Sequence, residues 1–365
     1  MTPAPHRIVP RPAAALPEAY DLRGVRRAVD EVLERFLDAK ERGPYGAHLT
    51  DPLEVLRDFL GAGGKRVRPL YLCTGWYAVR GAPLTAGVLR AAAGVELFHT
   101  FALLHDDVID RSEVRHHRPT AQLQFGAIGS RRREPWFGES AAVLLGDLCE
   151  AWSAELLGDA SAIGPARVAL DAMRSELVVG QYLDLCASGE GFGSVAEAMQ
   201  VIHFKTTKYT VERPMQLGAA LAGADSAALE ACSAYARPLG EAFQLLDDLE
   251  DVLELADGGT ESGTDVREGK HTVVLALAAA RCDRASAARL RRLVGDRGLD
   301  AEQLAEARAI IAATGAIRDV KEMILDRRRQ AMNILEHAPF HSDAKSILAR
   351  LTDLAIPQVA SWDGA

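Results

Sequence analysis

An all-α fold is predicted by three features of this 365-residue chain. Apolar residues recur at helical spacing along most of it, and no stretch alternates with period two for long enough to make a strand. The long segments also carry Ala, Leu and Gly on more than one face, as helices packed all round in a bundle do.

Residues 1–20 read as a flexible tail, because prolines interrupt the place where a signal peptide needs an unbroken apolar run. Residues 21–365 read as one helical domain, since no break resembles an interdomain linker. In LRGVRRAVDEVLERFLDA, Val25, Val29, Val32, Leu33 and Phe36 form one stripe with charges opposite, the pattern of a helix with one buried face. Helical patterns follow in LEVLRDFLG, LTAGVLRAAAGVELFHTFALLHDDVID, SAAVLLGDLCEAWSAELLG, ARVALDAMRSELVVGQYLDL, VAEAMQVIHFKTTKYT and SAALEACSAYARPLGEAFQLLDDLEDVLEL, with more toward the C-terminus. Gly-rich polar breaks fall at KERGPYGAHLTDP, GSRRREPWFGES and ADGGTESGTDVREGK.

Composition excludes several functions. A net charge of −9 argues against a nucleic-acid binder, which shows a basic excess. Cys73, Cys149, Cys186, Cys232 and Cys282 lie far apart with no CxxC, so neither a zinc site nor a disulfide framework is indicated, and a reducing cytoplasm fits. Apolar runs such as TVVLALAAA reach about half the ~20 residues of a bilayer span, so no span is expected.

Two acidic clusters recur, DDVID at Asp106, Asp107 and Asp110, and DDLED at Asp247, Asp248 and Asp251. On a helix, Asp106 and Asp110 share a face, as do Asp247 and Asp251, giving two carboxylate clamps. Carboxylates that close raise one another's pKa unless cations neutralise them. Hard oxygen donors with room for water and phosphate suit Mg²⁺; neither cluster has the loop of an EF-hand. Both emerge from apolar sequence, FALLH and AFQLL, rather than from a polar face. If Mg²⁺ bridges them to phosphate, cations should gather elsewhere. GGKRVRP supplies Lys65, Arg66 and Arg68 behind two glycines that allow close backbone approach. VRHHRPT supplies Arg115 and Arg118, HFKTTKYT supplies Lys205 and Lys208, and REGKHT supplies Lys270.

In order from about Leu53 to Lys270, GGKRxRP, HxxxxxxDDxxD followed by Arg, GQxxD, KT and FQxxDD resemble the trans-isoprenyl diphosphate synthase (polyprenyl synthase) family. The resemblance implies an all-α bundle around a deep central cavity, a homodimer, and Mg²⁺-dependent elongation of an allylic diphosphate with isopentenyl diphosphate. It further implies that Asp106, Asp110 and Asp247 bind three Mg²⁺, supported by Asp107, Asp248 and Asp251, with Asp184 nearby. Arg115 would hold the allylic diphosphate, and Lys65, Arg68 and His99 the isopentenyl diphosphate. Lys205, Thr206 and Gln244 match groups lining the reacting carbons, and Lys270 belongs to the phosphate-binding set. Two positions depart from the family pattern. His116 stands where the family has a second Arg that binds isopentenyl diphosphate, exchanging a fixed charge for an imidazole. Thr260 or Glu261 stands where it has a loop Lys.

Three functions fit these motifs: a short-chain synthase, a terpene cyclase on the same fold, and a catalytically silent partner subunit. The intact aspartates disfavour the last, and Lys65, Arg68 and His99 favour the first. Phe101, five residues before Asp106, and Phe98, about one turn further back, are expected to form the floor that sets product length. An aromatic at Phe101 with Ala102 beside it resembles makers of geranylgeranyl diphosphate (C20), with farnesyl diphosphate (C15) as the alternative.

Overall fold

The Asp21 side chain accepts hydrogen bonds from the Arg23 and Gly24 backbone N–H groups and so starts helix α1, Leu22–Glu41. Val25, Val29 and Leu33 of the predicted face are buried, with Val32 and Phe36 at its margin, and Leu37 joins them in the core. The computed structural model describes residues 20–128, 134–188, 191–253 and 263–357. The expected tail up to residue 19, and Thr260 and Glu261, lie outside them.

Helices α2 (Thr50–Gly61), α3 (Val67–Arg80) and α4 (Ala86–Ile109) follow. A two-residue ladder then pairs β1 (Val114–Arg115) with β2 (Arg118–Pro119), antiparallel. Its turn residues His116 and His117 both have positive φ, 51° and 61°, as a tight two-residue hairpin requires. Beyond it lie α5 (Ala121–Ala127), α6 (Pro135–Leu156) and α7 (Gly164–Ala187). A Ser194–Glu197 capping box opens α8, Val195–Val201. That helix continues without a break into a π-helical stretch, Ile202–Glu212, and α9, Arg213–Leu221. The remainder is α10 (Ser226–Leu253), α11 (Thr264–Glu268), α12 (Val273–Arg281), α13 (Arg284–Leu293), α14 (Ala301–Ala313), α15 (Ala316–His337) and α16 (Ser342–Ala355).

The closest helix pairings are α4 with α6, α10 with α15 and α3 with α9. One connected apolar cluster runs through them from Leu22 to Ile356. Among the described residues α4 is long and apolar enough to cross a membrane, but 67% of that stretch is buried inside the bundle, so it is a core helix here. The short apolar runs singled out in the sequence understate its length.

Helices α3 and α9 touch through glycines. A Cβ on Gly218 would lie 1.8 Å from the Leu72 carbonyl oxygen, and one on Gly75 2.2 Å from that of Met215. Gly218→Ala must therefore push the two backbones apart. An overpacked core contact of this kind costs about 1–3 kcal/mol. Chemical denaturation should show the loss, and an unchanged midpoint would mean that the pair separates freely.

Candidate active site

The last turns of α4 and α10 bring the two acidic clusters to the same region, and each carboxylate there meets a different environment. Asp107 is fully buried and takes a forked interaction from Arg115, whose Nε lies 2.8 and 3.0 Å from its two oxygens and whose Nη2 lies 2.7 Å from Oδ1. The hairpin is thereby tied to α4. Asp248 is also buried and accepts from Gln244 Nε2 at 2.7 Å. Asp251 spends both oxygens on the start of α11, accepting from the Thr264 and Asp265 N–H groups at 3.0 Å each. Asp106 and Asp110 at the end of α4 and Asp247 on α10 remain.

Lysines stand against these three. Lys205 Nζ donates to Asp184 at 2.6 Å and to Asp106 at 3.2 Å, and Gln181 Nε2 donates to Asp106 at 2.7 Å. Lys270 Nζ lies 3.7 Å from Asp110, 3.6 Å from Asp265 and 3.3 Å from Glu268. Burial works against the charge on Asp106, but Lys205, Lys270 and Arg115 hold it below the ordinary carboxylate range. The same opposition of burial and charge gives the reverse outcome at Asp110, where burial and Asp106 push the carboxyl up to about 6. Burial and Asp265 push Asp251 up to about 7 and Asp248 well above its usual range. Lys270, despite burial, is held protonated by Asp265, Glu268, Asp110 and Asp106.

This acidic wall borders a small cavity of about 100 Å³ lined by Asp184, Asp247, Asp248 and Asp265 against only two lysines, Lys205 and Lys270. Asp247 also lines a second cavity of about 580 Å³, whose cations are Arg26, Lys65, Arg66 and Arg68, with His99 and His116 beside them. Arg68 is held by three neighbours. Its Nη2 donates to Thr210 Oγ1 at 2.7 Å, its Nη1 to His99 Nε2 at 2.9 Å, and its guanidinium lies 4.4 Å from the Tyr209 ring centre. A guanidinium only donates, so His99 Nε2 accepts and the proton sits on Nδ1, 3.1 Å from the Tyr209 hydroxyl. Burial, with Arg68 close by, keeps His99 neutral.

The π-helical stretch carries the remaining candidates. Its wider winding shows in the Arg213 N–H bonding the Lys208 carbonyl five residues back. Pro214 follows at once, and a proline ring clashes with the carbonyl four residues before it in ordinary α geometry. Two glycines let the stretch come close to its neighbours: a Cβ on Gly180 would lie 2.5 Å from Lys205 N, and one on Gly240 2.6 Å from Thr207 Cα. The contact sets Thr206 Oγ1 to donate to Gln244 Oε1 at 2.6 Å, so Lys205, Thr206 and Gln244 meet beside Asp248. Lys208 instead pairs with Glu212 at 2.8 Å. Phe98 and Phe101, with ring centres 5.4 Å apart, sit on α4 outside the lining of the basic cavity.

Sequence reasoning missed four members of this site. Asp265 and Glu268, three residues apart in a short helix, follow a Gly-rich break with no apolar helical run before them of the kind that marked the other two clusters. Glu96 and Tyr209 were hidden in apolar and Lys/Thr-rich runs. The buried acid Glu96 in GVELFH was the detectable signal, since an acid is almost never fully buried without a partner.

The donor set fits Mg²⁺. Among the described residues no three acidic, His or Cys side chains converge on a single point. Mg²⁺ takes one or two carboxylates and completes its shell with water and substrate phosphate, and Asp106, Asp110 and Asp247 offer hard oxygens of that kind. The surplus of carboxylates over lysines supplies the charge it needs.

A family profile described as Polyprenyl synthetase matches residues 52–311. The chain is 31% identical over 309 residues to nonaprenyl diphosphate synthase of Mycobacterium tuberculosis, covering 83% of this chain and 87% of that one. It is 34% identical over 275 residues to the chloroplastic geranylgeranyl pyrophosphate synthase 11 of Arabidopsis thaliana, covering 70% and 73%. Its structure resembles that of geranylgeranyl pyrophosphate synthase from Corynebacterium glutamicum, complexed with isoprenyl diphosphate and magnesium, with a TM-score of 0.87 and 35% identity over 93% of this chain and 100% of that one. Profile, relatives and fold agree with the order of acidic and basic motifs, and the chain belongs to the polyprenyl synthetase family of prenyl-transferring enzymes.

Proposed function

We propose that this enzyme condenses an allylic diphosphate with isopentenyl diphosphate, requires three Mg²⁺ per site, and makes geranylgeranyl diphosphate. The observation that carries this reading is the acidic and basic cavities meeting at Asp247, which lines both. One wall suits a diphosphate bridged by metal, the other a diphosphate held by side-chain cations alone. Two diphosphate substrates with different fates need that division.

Asp106, Asp110 and Asp247 would hold the ions, while Asp107, Asp248 and Asp251 fix the hairpin, Gln244 and α11 around them. Magnesium, when bound, supplies Lewis acidity that favours departure of the allylic diphosphate. Arg115, Lys205 and Lys270 add positive charge where the leaving oxygens accumulate negative charge. Lys65, Arg68 and His116 take the second diphosphate, with His99 holding Arg68 in place. The Thr206 carbonyl and the Gln244 amide border the reacting carbons and favour developing positive charge there. We read residues 21–365 as one catalytic unit.

Support for a C20 product comes from the likeness to the C. glutamicum enzyme and from Phe101, about 7.5 Å along α4 from Asp106 at 1.5 Å per residue. The Phe101 ring packs between Phe98, at 5.4 Å, and His105, at 4.7 Å, as a floor one turn below the metals would. A longer product is the second reading, favoured by the 31% identity to a nonaprenyl diphosphate synthase. A homodimer is supported by apolar side chains left in water on α6 and α7, among them Leu144 (67% exposed), Val168 (68%) and Tyr182 (65%), which a partner copy would cover.

Asp106→Asn and Asp247→Asn should each lower turnover by at least about a hundredfold, the effect of losing a charge-stabilising group of roughly 2.7 kcal/mol, with helicity unchanged. Near-normal activity in either variant removes the metal assignment. Phe101→Ala should lengthen the longest product by at least one isoprene unit, read by chromatography of the dephosphorylated alcohols. An unchanged distribution places the floor elsewhere. Light scattering should give twice the chain mass for the purified protein and a smaller mass for Leu144→Asp combined with Tyr182→Asp; a monomeric parent protein would contradict the dimer.

A further inference from the structure

A carboxylate is a poor wall for a cavity that takes a diphosphate, yet Glu96 lines the basic cavity beside Arg68 and His99. It is only 5% exposed. Its Oε1 accepts from Arg66 Nη1 at 2.8 Å, while Oε2 is buried with no hydrogen-bond partner. Leaving a carboxylate oxygen unsatisfied is costly, so its partner should matter.

Each nitrogen of that partner, Arg66, already donates to a protein acceptor. Its Nε donates to Asp30 at 2.9 Å and its Nη2 to the Leu60 carbonyl at 2.8 Å, with Nη1 on Glu96. One guanidinium thus joins α1, the last full turn of α2 and α4. The Arg66 backbone is left-handed, with φ of 49°, and Lys65 alone separates it from Gly63 and Gly64 at 108° and 122°. A residue with a Cβ pays roughly 1–2 kcal/mol for that conformation, and the three side-chain contacts offset it. Lys65 precedes this turn and Arg68 lies just inside α3, so the turn decides where both cations point.

We propose that Arg66 and Glu96 are positioning residues for the second diphosphate: Glu96 grips Arg66 so that the strained turn presents Lys65 and Arg68 to one ligand. The inference rests on reading the basic cavity as the isopentenyl diphosphate site. It explains why a cavity with four cations tolerates a buried acid.

Steady-state kinetics on full-length Arg66→Gly, Arg66→Lys, Glu96→Gln and Arg68→Ala test it, with circular dichroism and Tm recorded for each. Arg66→Gly accepts the left-handed turn without strain but has no grip. It should raise the KM for isopentenyl diphosphate about tenfold, equivalent to roughly 1.4 kcal/mol, and leave the allylic KM and kcat unchanged. Glu96→Gln should move the same constant in the same direction, and Arg66→Lys, which keeps the charge facing Glu96, should fall between Arg66→Gly and the parent. Parallel losses of kcat, both KM values and Tm in all three would reduce the pair to a fold element and overturn the proposal. An isopentenyl diphosphate KM that rises in Arg68→Ala but stays at the parent value in the Arg66 and Glu96 variants overturns the proposal alone. An unchanged KM in Arg68→Ala overturns the reading of the cavity, and the proposal with it.

Discussion

Carboxylates withdrawn from water and set near one another are the constraint to which the rest of the structure answers. At Asp110, Asp248 and Asp251 the cost appears directly, as carboxyls pushed above their ordinary range by burial and by neighbouring acids. Two lysines and one arginine relieve part of it. A domain is stable by only about 5–15 kcal/mol, so uncompensated charge on this scale is tolerated only where it is used. The bundle absorbs the cost by giving the buried members structural partners: Arg115 for Asp107, Gln244 for Asp248, two backbone N–H groups for Asp251. Asp106 and Asp110 are instead faced by Lys205 and Lys270.

The same division marks what could be read from the sequence. Helix order, the all-α class and the two acidic pairs were legible because they depend on spacing along one helix, a local property. The cations of GGKRVRP were legible as a group, but their separate duties were not. Lys65 and Arg68 line the cavity, whereas Arg66, equally basic, is consumed by Asp30, Glu96 and the Leu60 carbonyl. Nothing in the spacing distinguishes them, since the difference arises from helices far apart in the chain. Asp265 was missed for a related reason: its role comes from Asp251 capping α11, a contact between residues 14 apart in the chain.

Glycine shows the limit most plainly. In the sequence Gly180 and Gly240 read as small residues in helices, neutral to the pattern. In the fold they are the two places where the stretch carrying Lys205 and Thr206 approaches its neighbours more closely than any side chain permits. The geometry around Lys205 and Thr206 is thus set partly by atoms that are missing.

The widened winding between Ile202 and Glu212 adds a condition of another kind. In an ordinary helix each residue turns the next by about 100°, so residues four apart nearly align; here alignment comes five apart. Lys205 looks to Asp106 and Asp184, while Thr210, five residues on, anchors Arg68 in the other cavity. The two cavities are therefore phased by a count of residues rather than by their chemistry. A chain one residue shorter here would turn everything beyond the deletion by roughly a quarter turn relative to Lys205 and set one cavity's contacts out of step with the other's. Length within this segment thus decides how the two cavities are set against each other.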